Sequence, residues 1–399
     1  MSDMTGSTSE EVASPSKARF SDLMMTRDSS FTRKLHLPNY RAKQIKWRPN
    51  YHGLRGVLSD ANASDAQLEF FEAFYQCVMT PLRPQADGEP GDEPVRGSSL
   101  LGSIFRWRSS DMAGSSEKVP KEPVPESTFL TAESFMLISS DFRRFYLQVE
   151  ATDWYYLTTV SKHFLTDIGM PSEQLEVVKG KLDVLRAAVG APTSDSSSST
   201  CALWMCLDGM GTNRPRVDAG YALECHAEFG GLDWQTLDLL LPPGDDKDRV
   251  IRHAMAEQSE ILARGIQCSF LPEEPLTALN LKWATGQTGG AITAMLFFKA
   301  LGYVMPQELV LHILCHTMAK EVRVTVGFGP KGLVHTAVRC VGCDHQVASK
   351  LASVLAAPYS LSRLEQVYKC VRAQDRHTLT EIAAHGGRYT VAVGFQDYA

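Results

Sequence analysis

The chain has 399 residues, 44% hydrophobic and 22% charged, so most of it can bury a core, and the length allows one large domain or two. Lys and Arg number 40 against 46 Asp and Glu, a net charge of −6 that argues against a general nucleic-acid binder, because such proteins present a basic face. The nine cysteines are odd in number and scattered, which is typical of reduced thiols and not of a disulfide framework.

The N-terminal segment 1–28 is predicted to be a flexible tail, because Ser, Thr, Glu and Lys dominate it. It has no apolar run that could act as a signal sequence. The most apolar later stretch, 291–314, is interrupted by Lys299, Gly302 and Pro306, so it is too short to span a membrane. We therefore expect a soluble, cytoplasmic protein without membrane contact.

Residues 29–399 are predicted to form one domain with a flexible insertion at about 84–127, where Pro, Gly, Ser and charged residues crowd together. Helix-strand-strand units recur along this domain. The predicted helices span 66–79, 154–167, 172–188, 249–263, 291–301, 306–318, 345–357 and 361–374. The predicted strands span 129–138, 142–150, 201–207, 221–228, 266–271, 278–284, 321–328, 333–340, 378–384 and 388–395. Five such units supply ten strands, and the repetition favours one closed or stacked architecture.

Apolar and polar residues alternate along these strands, so that each strand has one apolar and one polar face. In 321–328 the two faces are Val322, Val324 and Val326 on one side and Glu321, Arg323 and Thr325 on the other. If helices cover the apolar faces and the sheet closes, the polar faces line a ligand-sized lumen and no strand edge is exposed. We therefore predict an α+β fold, a ten-stranded antiparallel β-barrel surrounded by α-helices. The alternative is an open sheet whose charges are merely solvated.

Two segments of the chain, 47–84 and 131–146, carry a family resemblance. The first contains GLRGVLSDAN at 53–62, and the second contains TAESFML followed by RRFY at 143–146. Both resemble the fungal dimethylallyltryptophan synthase-type aromatic prenyltransferases, in which a strand glutamate is followed by a diphosphate-binding arginine. The family has five helix-strand-strand-helix repeats around a ten-stranded antiparallel barrel, which agrees with the repeat count.

The resemblance implies transfer of a dimethylallyl or longer prenyl group from its diphosphate to an aromatic acceptor such as an indole or phenol. It implies secondary metabolism such as indole alkaloid formation, no metal and no cofactor, and it leaves a homodimer open. Glu133 would accept the indole N–H and so activate the ring. The diphosphate would be held by cationic side chains on the inferred lumen faces. These are Arg144, His226, Lys282 and Arg323.

The chain departs from the family pattern at several lumen positions. Glu224 and His226 stand where the family has a lysine and a tyrosine, and Val393 replaces a tyrosine. These departures keep open a barrel of the same fold that binds another small molecule or has altered catalysis.

Metal chemistry suggests a remote alternative. The sequence CHAE at 225–228, together with Cys340 and Cys343, resembles parts of a zinc-dependent nucleobase deaminase site.

The acidic run 245–248 directly precedes a predicted helix. Carboxylates are favourable at a helix N-terminus, so we interpret the run as a helix start and not as a magnesium motif.

Overall fold

The fold is taken from a computed structural model, which describes residues 50–79, 133–151, 154–189, 199–227, 232–270, 277–284, 292, 296–297, 299–302, 321–330, 332–341, 345–371, 379–385 and 388–396. All of them belong to one compact unit. The predicted tail at 1–28, the insertion at 84–127 and the helix at 306–318 lie outside the described residues. The domain boundaries therefore stay a prediction.

Ten strands form one sheet. They are β1 (Glu133–Ser139), β2 (Arg144–Ala151), β3 (Ser199–Asp208), β4 (Arg216–His226), β5 (Ile261–Ser269), β6 (Thr277–Ala284), β7 (Glu321–Gly329), β8 (Gly332–Val341), β9 (Leu379–His385) and β10 (Arg388–Gln396). Each strand pairs antiparallel with the next, and β1 pairs with β10, for example at Leu137 and Gly394, which closes the barrel. The predicted barrel is confirmed, and the open-sheet alternative is wrong.

Eight α-helices are present in the described part of the chain. They are α1 (Tyr51–Asp60), α2 (Asp65–Phe74), α3 (Trp154–Asp167), α4 (Ser172–Val189), α5 (Trp234–Leu240), α6 (Asp245–Ala256), α7 (His345–Val354) and α8 (Leu361–Val371). A π-helical turn, Tyr75–Met79, continues α2. No helix in this part is long and apolar enough to cross a membrane.

The main core lies between the barrel and the surrounding helices. The outward faces of the strands are apolar, and Val322, Val324 and Val326 of β7 are each 0% exposed. Helix residues such as Phe70, Phe71 and Phe74 of α2 belong to the same buried cluster. Burying the apolar face of every strand against helices leaves the polar faces to the lumen, as the alternation predicts.

Element boundaries differ from the sequence prediction mainly around α6. The helix predicted over 249–263 begins at Asp245 and ends at Ala256, and β5 begins at Ile261. In β5 Ile261 and Ala263 are buried while Leu262 is exposed, which is a strand alternation. The prediction missed it because it continued the helix through the polar residues 257–260, which separate the helix from the strand.

Candidate functional site

Three aromatic side chains form an apolar wall inside the barrel. Phe135 of β1, Tyr146 of β2 and Trp204 of β3 lie on neighbouring strands in a cluster separate from the outer core. The ring centroids of Phe135 and Tyr146 are 5.7 Å apart, and those of Tyr146 and Trp204 are 5.9 Å apart with nearly parallel rings. Such ring faces attract cations.

Three cationic side chains form a row on the other side of the barrel, on strands β6, β7 and β8. Lys282 of β6 faces Arg323 of β7 in register, and Arg323 faces Arg339 of β8. Like charges side by side on neighbouring strands repel, so such a row requires counter-charges. We call Lys282, Arg323 and Arg339 the cation row.

Carboxylates inside the lumen supply the counter-charges. Lys282 Nζ lies 2.8 Å from Glu321 Oε2, and Arg323 donates to Glu321 and, at 3.1 Å through Nη1, to Glu224 Oε2. Burial by itself raises the pKa of the Glu321 carboxyl, but Arg323 and Lys282 outweigh this effect and hold that pKa below its usual range. The carboxylate is therefore charged at neutral pH.

A second ion-paired group joins strands on opposite sides of the lumen. Glu381 of β9, only 4% exposed, accepts from Arg339 Nη2 at 2.9 Å and Nε at 3.3 Å. Its other oxygen lies 3.8 Å from Nη1 of Arg144 on β2. Burial by itself raises the pKa of Glu381, but Arg339 and Arg144 reverse the direction and lower it.

Two cavities of about 40 and 30 Å³ remain in the lumen. Four side chains line both of them, namely Tyr146, Gln267, Thr325 and Arg339. Between them Gln267 Nε2 donates to the Tyr146 hydroxyl at 3.3 Å, and that hydroxyl donates to Gln148 at 2.6 Å. Volumes of this size hold about three water molecules.

The structure separates two residues that the sequence analysis placed together. Glu133 begins β1, and its backbone pairs with Glu150 of β2, while its side chain lies outside the described part. Arg144 begins β2, six residues from Glu150, or about 20 Å along the strand. The backbones of Glu133 and Arg144 therefore lie at opposite ends of the strand pair.

The other sequence-predicted residues lie towards the end of the barrel where β1 begins. Lys282 and Arg323 are neighbours in the cation row. His226 is the last residue of β4, exposed, two positions beyond Glu224 on the same face. Sequence reasoning missed Arg339 and Glu381, although both lie within predicted strands. The alternation of apolar and polar residues around them was the signal that could have placed them on the lumen face.

The geometry does not favour the metal-site alternatives. Cys225 belongs to the buried outer core, whereas the neighbouring His226 lies on the alternate face of β4. Cys343 lies outside the described residues, within which no cluster of three His, Cys, Asp or Glu could hold a metal ion.

The acidic run at 245–248 has a structural explanation. Its aspartates occupy the first turn of α6, and Asp246 accepts from the backbone N–H of Leu333 at 3.0 Å. Carboxylates at this end of a helix are stabilised by its dipole. The interpretation of the run as a helix start is confirmed.

Comparison with known proteins gives matches at the level of structure. No family model matches the chain, and no curated protein sequence matches it significantly. A crystal structure of AnaPT from Neosartorya fischeri matches with a TM-score of 0.51 and 9% identity, over 87% of this chain and 92% of that one. A crystal structure of NotF in complex with brevianamide F and DMSPP matches with a TM-score of 0.50 and 10% identity, over 92% and 98%.

A structure described as 6-dimethylallyl tryptophan synthase also matches, with a TM-score of 0.41 and 10% identity, over 66% of this chain and 80% of that one. At about 10% identity the other two matches bear on the fold alone. They agree with the ten-stranded barrel described above. The chain has the ten-stranded barrel fold of the fungal dimethylallyltryptophan synthase-type aromatic prenyltransferases.

Proposed function

We propose that the chain transfers a prenyl group from a prenyl diphosphate to an aromatic acceptor inside the lumen of the barrel. The observation that carries the proposal is the combination of the aromatic wall, Phe135, Tyr146 and Trp204, with the cation row in one closed lumen. An aromatic enclosure stabilises an allylic cation, and fixed cations stabilise the diphosphate that leaves.

The chemistry proceeds by cleavage of the bond between the allylic carbon and the diphosphate oxygen. Both electrons of that bond stay with the diphosphate, and a carbon of the aromatic ring then bonds to the allylic carbon. The ring loses its proton to the released diphosphate or to a nearby carboxylate. In this scheme Arg144, Lys282 and Arg323 neutralise the diphosphate, so that no metal ion is needed.

The remaining assignments belong to the same proposal. Glu133 accepts the N–H of an indole acceptor and raises the electron density of the ring. His226, exposed at the end of β4, meets the diphosphate at the mouth of the barrel. The acceptor class of indoles or phenols, the role in secondary metabolism and the cytoplasmic location rest on the sequence analysis.

The proposal is tested by activity. The protein is incubated with dimethylallyl diphosphate, a panel of indoles and phenols, and EDTA, and products are detected by mass spectrometry. Glu133→Gln should lower turnover about 100-fold or more while circular dichroism stays unchanged, because general acid–base groups contribute about 10²–10⁴-fold. Glu365→Gln, an exposed change on α8, is the matched control and should keep full activity. Full activity of Glu133→Gln would remove the role assigned to Glu133.

A second candidate function is a barrel that binds another small molecule without prenyl transfer. The observation that favours it is that Arg144, Lys282, Arg323 and Arg339 are all paired with carboxylates around two small cavities. If no acceptor in the panel gives a product, this candidate is supported over prenyl transfer.

A further inference from the structure

Arg339 of β8 faces the lumen, and the sequence-predicted site does not include it. It is the third member of the cation row, and it lines both cavities. Its guanidinium carbon also lies 4.8 Å from the ring centroid of Phe135. Arg339 therefore joins the cation row to the aromatic wall, which is where the bond of a prenyl diphosphate would break.

Glu381 holds one edge of the Arg339 guanidinium. Nε and Nη2 both donate to the same oxygen, Oε2. A guanidinium has five N–H donors in a rigid plane, so this contact uses two of them and leaves both donors on Nη1 and one on Nη2 outside it. The contact with Glu381 holds the Nε and Nη2 edge of the guanidinium. It therefore orients the edge that carries Nη1 without using the hydrogen bonds of Nη1.

The ion pairs also distinguish Arg339 from its neighbours in the row. Arg323 contacts two carboxylates, Glu224 and Glu321, and Lys282 contacts Glu321. Arg339 instead contacts one carboxylate, Glu381, which it shares with Arg144, and Asp208 is a further negative charge that acts on Arg144. An anion that enters the lumen is attracted more strongly to Arg339, with its one shared carboxylate, than to Arg323, which lies between two.

Resting on the proposed function, and extending it, we propose that Arg339 binds the diphosphate beside the aromatic wall and that Glu381 is a positioning residue that orients Arg339. As the bond to the allylic carbon breaks, the electron pair adds charge to the departing diphosphate oxygen. The Nη1 donors of Arg339 meet this charge beside the aromatic wall. Arg144, on the other oxygen of Glu381, contacts the same diphosphate from the opposite side of the lumen.

The test measures binding and does not depend on turnover. Isothermal titration calorimetry gives the dissociation constants of inorganic diphosphate and of dimethylallyl thiolodiphosphate, with Arg252→Gln, an exposed change on α6, as the matched control. Arg339→Gln should weaken binding of both ligands about 10–100-fold, because a hydrogen-bonded charge is lost. Arg339→Lys, which keeps the charge, should weaken binding of both ligands less. If the Gln variant does not fold, the Lys variant is used in its place for the same measurement.

Glu381→Gln should weaken diphosphate binding by a smaller factor, since Arg339 stays present but is less well oriented. In the Arg339→Gln background the loss of Glu381 should weaken binding less than it does in the wild type, because Glu381 acts mainly through Arg339; a merely structural role would give additive losses. Unchanged diphosphate binding in Arg339→Gln or additive losses in the double variant would overturn the proposal, as would a wild-type protein that binds neither ligand. If the wild type binds diphosphate and Arg339→Gln weakens it, while no acceptor gives product, the assignment of Arg339 stands and prenyl transfer is what fails.

Discussion

Gly220 of β4 is the residue on which the aromatic wall depends most directly. A Cβ at this position would lie 1.9 Å from the carbonyl oxygen of Cys268 on β5 and 2.5 Å from Cζ2 of Trp204. The first contact is to the backbone of a paired strand, which cannot move without breaking the sheet. The indole of Trp204 therefore packs directly over the backbone of β4, and only glycine leaves room for it.

We expect Gly220→Ala to lower the free energy of unfolding by about 3 kcal/mol, the upper part of the range for overpacked cores. Gly56→Ala is the matched control, because in helix α1 an added Cβ would meet no atom within 4 Å. That control should raise the free energy of unfolding by up to about 1 kcal/mol, since alanine favours helix. Urea titration measures both, and equal stability of the two variants would show that the close packing at Gly220 is incorrect.

Helix α2 is attached to the barrel by a capping residue that has two functions. Gln67 completes a capping box with Ser64, and it is only 1% exposed. Its Nε2 also donates to the backbone carbonyl oxygens of Asp208 at 2.8 Å and Arg216 at 3.0 Å, a register pair where β3 meets β4. One side chain therefore caps the N-terminus of the helix and donates to two carbonyl groups of the sheet.

Substitutions in this capping box should differ in cost. Ser64→Ala should lower the free energy of unfolding by about 1 kcal/mol, the usual cost of a lost N-cap. Gln67→Ala should cost more, about 2 kcal/mol, because a buried side chain and its two hydrogen bonds to the sheet are also lost. Chemical denaturation of both variants checks this expectation. Equal losses would mean that the contacts of Gln67 with the barrel contribute nothing.

For the molecule as a whole, ion pairs across the lumen tie together strands that are not neighbours. Arg144 of β2 meets Glu381 of β9, and Arg323 of β7 meets Glu224 of β4. These ion pairs and the pairing of β1 with β10 form only in the closed barrel, so they stabilise the same closed state. Stability should therefore depend on the charge of the buried carboxylates.

The pH dependence follows from the pKa of Glu381, which is lower in the folded protein than the ordinary value of about 4.3. Below that value the unfolded chain binds more protons than the folded one, so the free energy of unfolding rises with pH. The stabilisation is complete above about pH 4.3 and is lost as pH falls through the folded pKa. Urea titrations from pH 3 to 7 should show this loss in the wild type and a smaller one in Glu381→Gln; identical profiles would contradict the effect.

The local pattern of the sequence was sufficient for the strands and for the residues that face the lumen. Alternation with a period of two is a property of neighbouring residues, so Arg323 and Lys282 could be placed on the polar face before any pairing was known. Boundaries between elements were less certain, as at α6 and β5, where the polar residues 257–260 between the helix and the strand were assigned to the helix. The C-terminal strands were placed to within two residues, yet Arg339 and Glu381 were not singled out, because nothing local indicates that they meet.

The sequence by itself determined the repeated units, the two faces of each strand and the resemblance to the prenyltransferase barrel. The tertiary structure decided which inward side chains meet. Closure of the sheet brings Arg144 from the second strand to Glu381 in the ninth and places Arg339 beside Phe135. These contacts depend on strand register and on the return of β10 to β1, which are long-range properties that no short stretch of sequence carries.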